Sequence, residues 1–327
     1  MLELEFAVAD VARTRFAVSP LWEAVASVRV VRDAAAHQVH LPWVRQVRDR
    51  LDGARAGWRM LSDLAGSGTG CVLPSFLSPP PCVPLPGLDL ELAALRAVPA
   101  EAVRRDLAEL PRTATTEMLR SDPHRGLIEL ADAVEVYWDL ALAPYWPRVR
   151  TLLEADIAYR ARRLAEGGAS RLFDDLDPLI TWSGERLRVG RRHDTRTRSL
   201  GGQGLLLMPS AFAWPHVISK VSPDWQPAVR YPPRGVGTLW ECRGAAAPEA
   251  LAALIGRSRA LVLAALESPT STTALAERTG LSGGGVSQHL SVLKSAGLVE
   301  PYRTGRFVLY ARTATAETLL AGLAGSV

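Results

Sequence analysis

Gln288 stands in the run Val286-Ser-Gln-His-Leu290, with Ser291 and Lys294 following within two helical turns. A glutamine amide can bond adenine bidentately in the major groove, and serine hydroxyls can reach base edges or phosphates. Lys294 offers a phosphate contact. Arg303 and Arg306 flank a Thr304-Gly305 turn, a place where guanidinium groups suit phosphate or a narrow minor groove. Each residue also has a plainer reading: a solvated helix face for Ser287, Gln288, Ser291 and Lys294, and an ordinary turn tip for the arginines. His289, at the margin of the apolar stripe, divides between a phosphate or interface bond and a packed histidine.

Other residues carry weaker chemical signals. His37 and His40 make an H-x-x-H pair one turn after Asp33, a spacing that metal ligation uses. No further ligands join them, so no metal site is expected. Cys71 and Cys82 flank a Gly/Pro-rich loop, where a redox switch competes with unremarkable thiols. Gly66-Ser-Gly-Thr-Gly70 lacks the Gly-Lys-Ser/Thr ending of a phosphate loop and reads as a flexible connection. The arginines of 186–198 place Arg186 and Arg188 on one strand face, for extra phosphate contact or a solvated hairpin. Trp138, Trp146, Trp182, Trp214, Trp225 and Trp240 are candidates for an apolar effector pocket, against the commoner role of core. No Gly-x-Ser-x-Gly, metal triad or GxGxxG after a strand is found, so no catalytic residue and no cofactor are expected.

The elements that position the first group are legible. A helix over 248–266 carries an apolar stripe at Leu251, Leu254, Ile255, Leu261 and Val262. A short helix opens at Thr272/Thr273, Gly280-Leu281-Ser282 turns, and a helix follows over 283–296. Two short helices joined by a tight turn containing glycine describe a helix-turn-helix. Val286, Leu290, Leu293 and Ala296 supply its buried face. Gly297-Leu298-Val299 ends the helix and starts a strand that returns through 307–310, making a two-stranded wing. Upstream, 2–16 reads as strand, Ser19-Pro20 opens a helix, 42–65 suggests another, and five prolines in 76–87 demand an extended loop. Helical stretches follow over 88–110 (broken by Pro99), 125–143, and from about 144 to 165, where Gly167-Gly168 stops the last. Strands and turns occupy 179–231. The expected fold is an α+β N-terminal domain, 1–245, followed by a mainly α winged helix-turn-helix domain, 246–327.

Composition supports that division. All nine tryptophans lie between Trp22 and Trp240, and none falls in the last 82 residues. At 327 residues, 48% hydrophobic and 22% charged, the chain has about two domains' worth of length and enough apolar content for a sizeable core. The 38 basic residues include only two lysines, Lys220 and Lys294, a bias of GC-rich bacterial coding. The first 245 residues hold 31 Lys/Arg against 29 Asp/Glu and the last 82 hold 7 against 5, so neither part is a polycation. DNA binding must therefore be argued from local placement. No apolar run approaches the roughly 18 residues a membrane helix needs. The N-terminus is acidic, three cysteines are too few for a disulfide framework, and a cytoplasmic protein is expected.

The run Val286-Ser-Gln-His-Leu290, then Leu293-Lys-Ser-Ala-Gly-Leu-Val299, followed by Arg303-Thr-Gly-Arg306 and Tyr310, resembles the ArsR-type winged-helix transcriptional regulators over residues 248–323. The first 245 residues resemble an uncharacterised domain that precedes this kind of winged helix in some bacterial regulators. The resemblance implies a homodimeric repressor on a pseudo-palindromic double-stranded operator. It assigns Ser287, Gln288 and His289 to the reading helix, Arg303 and Arg306 to the wing, and part of the dimer contact to helices 248–266 and 314–323. Two departures stand out. Gly283-Gly284-Gly285 removes side chains from the first turn of the reading helix, and the Cys-x-Cys pattern of the family's metal sensors is missing. A small-molecule effector would act through 1–245. The competing readings are an enzyme with a catalytic N-terminal domain and a DNA-binding protein gated by a protein partner.

Overall fold

The computed structural model describes residues 2–65, 73–108, 110–190, 196–222, 225–240, 249–266, 269–304 and 307–324, and the backbone alone at 55–57, 196, 303, 304, 307 and 321–324. Its strands are β1 (Leu2–Glu5), β2 (Arg15–Phe16), β3 (Ile180–Ser183), β4 (Arg186–Val189), β5 (Arg196–Ser199), β6 (Leu206–Pro209), β7 (Ile218–Lys220), β8 (Ala228–Tyr231), β9 (Thr270–Ser271), β10 (Val299–Thr304) and β11 (Phe307–Arg312). Its helices are α1 (Val8–Arg13), α2 (Pro20–Arg32), α3 (Leu41–Gly53), α4 (Arg55–Leu64), α5 (Leu88–Arg96), α6 (Ala100–Leu107), α7 (Ala114–Ser121), α8 (Pro123–Ala141), α9 (Trp146–Phe173), α10 (Glu249–Ile255), α11 (Arg257–Ala265), α12 (Thr272–Thr279), α13 (Gly283–Ser295) and α14 (Ala314–Ala324). Among the described residues no helix is long and apolar enough to cross a membrane. The N-terminal region is α+β and the C-terminal region is a helical helix-turn-helix with a small sheet.

Two compact units divide the chain. The first comprises Met1–Val44, Arg55–Val136 and Leu153–Val236, and the second comprises Arg45–Ala54, Tyr137–Leu152 and Gly237–Val327.

In the first unit, one sheet runs β3-β4-β1-β5 and another β2-β6-β8-β7. β1 pairs antiparallel with β4, Leu4 opposite Leu187, and parallel with β5. The β3–β4 hairpin turns through Gly184 and Glu185, both at positive φ (55° and 66°), as a two-residue hairpin requires. β2, β6 and β8 are parallel, and every residue of β6 and β8 is buried, the apolar run Leu206–Pro209 in β6 and, in β8, the charged Arg230 together with its apolar neighbours. Leu4, Phe6, Phe173, Leu187, Leu207, Val229 and Tyr231 share one core.

Several expected elements appear in altered form. α2 starts as its sequence predicts: Trp22 N–H donates to Ser19 Oγ at 3.0 Å, with Pro20 at the first helical position. α9 carries non-helical dihedrals at Gly167 and Gly168, so the helix that runs up to them stops there. The expected strand over 2–16 is instead β1, α1 and β2, because Asp10 caps α1 by accepting the Ala7 N–H at 2.9 Å and its other oxygen accepts the Gly204 N–H at 2.9 Å. The helix expected over 42–65 is two, α3 ending at Gly53 and α4 beginning at Arg55.

The second unit has its core in Leu251, Val262, Leu263, Leu275, Val286, Leu290 and Leu293, closed by Leu298, Val299 and Ala316. The single helix expected over 248–266 is broken at Gly256, whose φ of 86° favours glycine and starts α11 anew. The break turns Leu254, placed in the apolar stripe by sequence, out to 65% exposure. β9, not anticipated, adds a third strand to the wing in the order β10-β11-β9.

Candidate nucleic-acid interface

α12 begins at Ser271, whose Oγ accepts the Ala274 N–H at 3.3 Å, and ends at Gly280 in the left-handed region (φ 69°, ψ 12°). After Gly280-Leu281-Ser282, the Ser282 Oγ accepts the Gly285 N–H at 3.2 Å and α13 starts. The turn is therefore set by one glycine and one cap. Val286, Leu290 and Leu293 then anchor α13, each at most 1% exposed. Ala296, expected on that face, caps the helix instead and is exposed. The end of α13 is tied to the wing: Leu298 N–H donates to Leu293 O (2.9 Å), Thr313 N–H to Leu298 O (3.1 Å), and Thr313 Oγ1–H to Gly297 O (2.7 Å). Arg312, at the end of β11, donates from Nε to Leu263 O (2.8 Å) and from Nη2 to Ala264 O (2.5 Å), satisfying carbonyls at the C-terminus of α11.

Anchoring of one face fixes the other. Ser287, Gln288, Ser291 and Lys294 are exposed, and His289 is half-buried. Gln288 therefore projects both an amide donor and a carbonyl acceptor outward, the pair that bidentate adenine recognition needs. Ser295 Oγ is taken up by Ser291 O at 3.0 Å. One residue that the sequence reading passed over joins this face: Val292, one turn beyond Gln288 and 43% exposed. Its i+4 spacing from Gln288 was the available signal. Gly283 and Gly284 are exposed, with open space around any added Cβ, so the first turn presents bare backbone. In the wing, β10 and β11 pair from Val299↔Arg312 to Thr304↔Phe307. Arg303 belongs to β10, its side chain lies outside the described residues, and Arg306 lies outside them altogether.

The remaining candidates separate from this surface. Arg186 pairs with Glu3 and Glu5 (both 3.0 Å) and Arg188 with Glu3 (2.8 Å), so the shared strand face is neutralised by carboxylates of β1. Arg191 and Arg192 and the side chain of Arg196 lie outside the described residues, as do Gly66-Ser-Gly-Thr-Gly70, Cys71 and Cys242, while Cys82 is free and exposed. His37 Nδ1 lies 3.0 Å from Trp214 O, and His40 Nε2 lies 3.1 Å from Ala211 O with its ring stacked on Phe212. Burial pushes the His40 pKa down to about 4. Both histidines bond backbone carbonyls, and among the described residues no group of three or more His, Cys, Asp or Glu could hold a metal. The tryptophans serve separate contacts: Trp138 meets Trp146 edge-on, Trp240 meets Tyr145, Trp182 stacks on Phe173, and Trp225 carries the Lys220 ammonium 5.2 Å from its ring centroid.

A network of buried charge, unforeseen from sequence, lies in the first unit. Glu91 accepts the Ser19 hydroxyl at 2.6 Å and the Leu21 N–H at 2.8 Å, capping α2 from a distance. Glu23 accepts the Phe212 N–H at 3.3 Å, and its other oxygen has no partner among the described residues. Burial drives both carboxyls up to about 7, against the opposing pull of their hydrogen bonds and of Arg230. The Arg230 guanidinium lies 3.6 Å over the Trp22 ring and donates to Ser78 Oγ at 3.1 Å.

Residues 254–302, from the end of α10 into β10, match a family model described as a helix-turn-helix domain. Residues 85–236 match a family of unknown function, DUF5937. No curated protein and no solved structure matches the chain. The chain thus carries a helix-turn-helix domain, a DNA-binding module, preceded by a domain whose family has no assigned activity.

Proposed function

We propose that this protein is a sequence-specific transcriptional regulator of the ArsR type, acting as a homodimeric repressor on a pseudo-palindromic operator. One observation carries the reading: within the matched helix-turn-helix region, α13 buries Val286, Leu290 and Leu293 and turns Ser287, Gln288, Ser291 and Val292 outward. In this reading Gln288 reads adenine, Val292 contacts a thymine methyl, and Ser287, His289, Ser291 and Lys294 contact base edges or phosphates. Arg303 and Arg306 serve the wing. Homodimerisation follows from reach, since one short reading helix covers only a few base pairs and half-sites about one helical turn apart give the site its length. An effector acts through residues 1–245 and shifts operator affinity by its differential binding, typically about 1–3 kcal/mol. The protein is not an enzyme in this reading and acts in the cytoplasm.

The test is selection of bound duplexes from a random library by the full chain, followed by footprinting of the recovered site. The expected result is a two-fold-related sequence with both half-sites protected. A protein–DNA complex of one chain per duplex, protecting a single half-site at stoichiometric concentration, would contradict it.

A further inference from the structure

In the second unit, the segment Tyr137–Leu152 forms a braced corner between the end of α8 and the start of α9. The 3-10 turn Ala143–Tyr145 at its apex carries two buried residues, Pro144 and Tyr145. Arg50, on the part of α3 that belongs to the same unit, braces the turn. Its Nη1 donates to Leu140 O at 3.2 Å and its Nη2 to the Tyr145 hydroxyl at 2.9 Å. That hydroxyl donates in turn to Gln46 Oε1 at 3.0 Å, and the Tyr145 ring meets Trp240 edge-on. Strand β11 runs past this turn, with Cα atoms of the two within 8 Å.

The register of the wing fixes which face meets the turn. Val299↔Arg312 and Pro301↔Tyr310 put Tyr310 and Arg312 on one face of the sheet. Tyr310 packs on the helix-turn-helix core, and Arg312 reaches the α11 carbonyls and, at 3.6 Å, Glu317 of α14, so those helices lie on that side. Glu300↔Ala311 and Tyr302↔Leu309 make the opposite face, where the Tyr302 hydroxyl bonds Glu300 Oε2 at 3.1 Å. A sheet face turned away from its own helices is commonly solvated. Here Ala311 is 3% exposed, and Tyr302 and Leu309 are half-buried. The turn Ala143–Tyr145 supplies the cover, and the small side chain at 311 leaves room for it.

We propose that the corner Ala143–Tyr145 is the seat of the wing, and that seating holds β11 in the ordered form that DNA binding uses. Beyond its short pairing with β9 the wing is a two-stranded ribbon, an arrangement of marginal stability by itself. A wing ordered before the encounter spares the cost of ordering it on DNA. The seat belongs to residues 1–245, the part through which an effector acts in the reading above, so a signal that shifts the corner reaches the wing without passing through α13. The seating stands on the second unit alone, and its effect on affinity rests on the DNA-binding reading.

The test is amide hydrogen exchange of the full chain, comparing Arg50→Ala and Ala143→Arg with wild type, and affinity for the selected operator measured on the same proteins. Arg50→Ala removes the brace without touching the wing, and Ala143→Arg places a long charged side chain in the seat. Both should speed exchange in Leu309–Ala311 about tenfold or more while leaving Val286–Leu293 of α13 unchanged. Both should weaken operator binding about three- to tenfold, the cost of re-ordering a side chain or two. Arg48→Ala, on an exposed position of α3, should change neither. Exchange in α13 is the internal reference: where a variant speeds it too, the domain has been lost, and Arg50→Lys, which keeps the charge without the two-pronged fork, takes that variant's place. Unchanged exchange in Leu309–Ala311, or faster exchange there with operator affinity intact, would overturn the proposal. A wild-type chain that binds no duplex would instead fail the DNA-binding reading, with exchange still deciding the seating.

Discussion

Replacing Glu23 with glutamine is expected to stabilise the protein at mildly alkaline pH and to leave it little changed in acid. Glu23 is 1% exposed, and of its two carboxylate oxygens only one finds a hydrogen-bond partner among the described residues. Burial raises its pKa from 4.5 to about 7. A folded pKa above the unfolded one means that the folded state holds the proton more tightly. The contribution to stability is therefore complete below pH 4.5 and is lost as the pH rises through 7. That difference corresponds to about 3 kcal/mol once both states are ionised. Glutamine keeps the acceptor for Phe212 N–H and removes the buried charge. Arg230 loses one of two nearby counter-charges in the exchange, so a gain of about 1–3 kcal/mol is expected at about pH 8. Glu91→Gln should gain less, because both Glu91 oxygens accept hydrogen bonds. Urea unfolding followed by tryptophan fluorescence at about pH 5 and pH 8 measures the effect. An equal loss of stability at both pH values would show that Glu23 is ionised and favourably paired in the folded protein, and would refute the reasoning.

Gly284→Ala should stabilise the helix-turn-helix by about 1 kcal/mol, since the position is helical and an added Cβ meets nothing within 4 Å; thermal unfolding checks it. Leu290→Ala should cost about 2–5 kcal/mol, because Leu290 is fully buried in the core beneath α13. The loss should appear in chemical denaturation and abolish DNA binding, whereas wild-type stability would mean that α13 is not packed through this face.

The helix-turn-helix was legible because its determinants are local. The Ser282 cap, the left-handed Gly280 and the 286/290/293 spacing all act within a few residues of one another. Gly256 shows the limit of periodicity: the stripe through Leu251 and Leu254 continues in sequence, yet one positive φ rotates Leu254 outward. The N-terminal region was less legible because its pairings are distant. β1 takes Arg186–Val189 and Arg196–Ser199 as partners, nearly the whole length of the unit away in sequence. Leu2–Glu5 and Arg15–Phe16 look like parts of one strand until Asp10 is seen to cap the short helix between them. The Glu23–Glu91–Arg230 network left no trace in the sequence, since each member reads as an ordinary surface charge and only the fold buries them together. On the outward face of α13, Gln288, Ser287 and Ser291 are exposed as the sequence pattern predicts, while Val292, exposed beside them, reads in sequence as one more apolar residue of the helix.

The most direct test of the account is the affinity of Gln288→Ala for the selected operator and for random duplex, measured side by side by fluorescence anisotropy at one salt concentration. Gln288 is exposed at the centre of the outward face of α13. If it reads a base, the substitution costs about 1–3 kcal/mol on the operator and almost nothing on random DNA. An equal loss on both duplexes, or no loss on either, would contradict the assignment of this face to sequence readout.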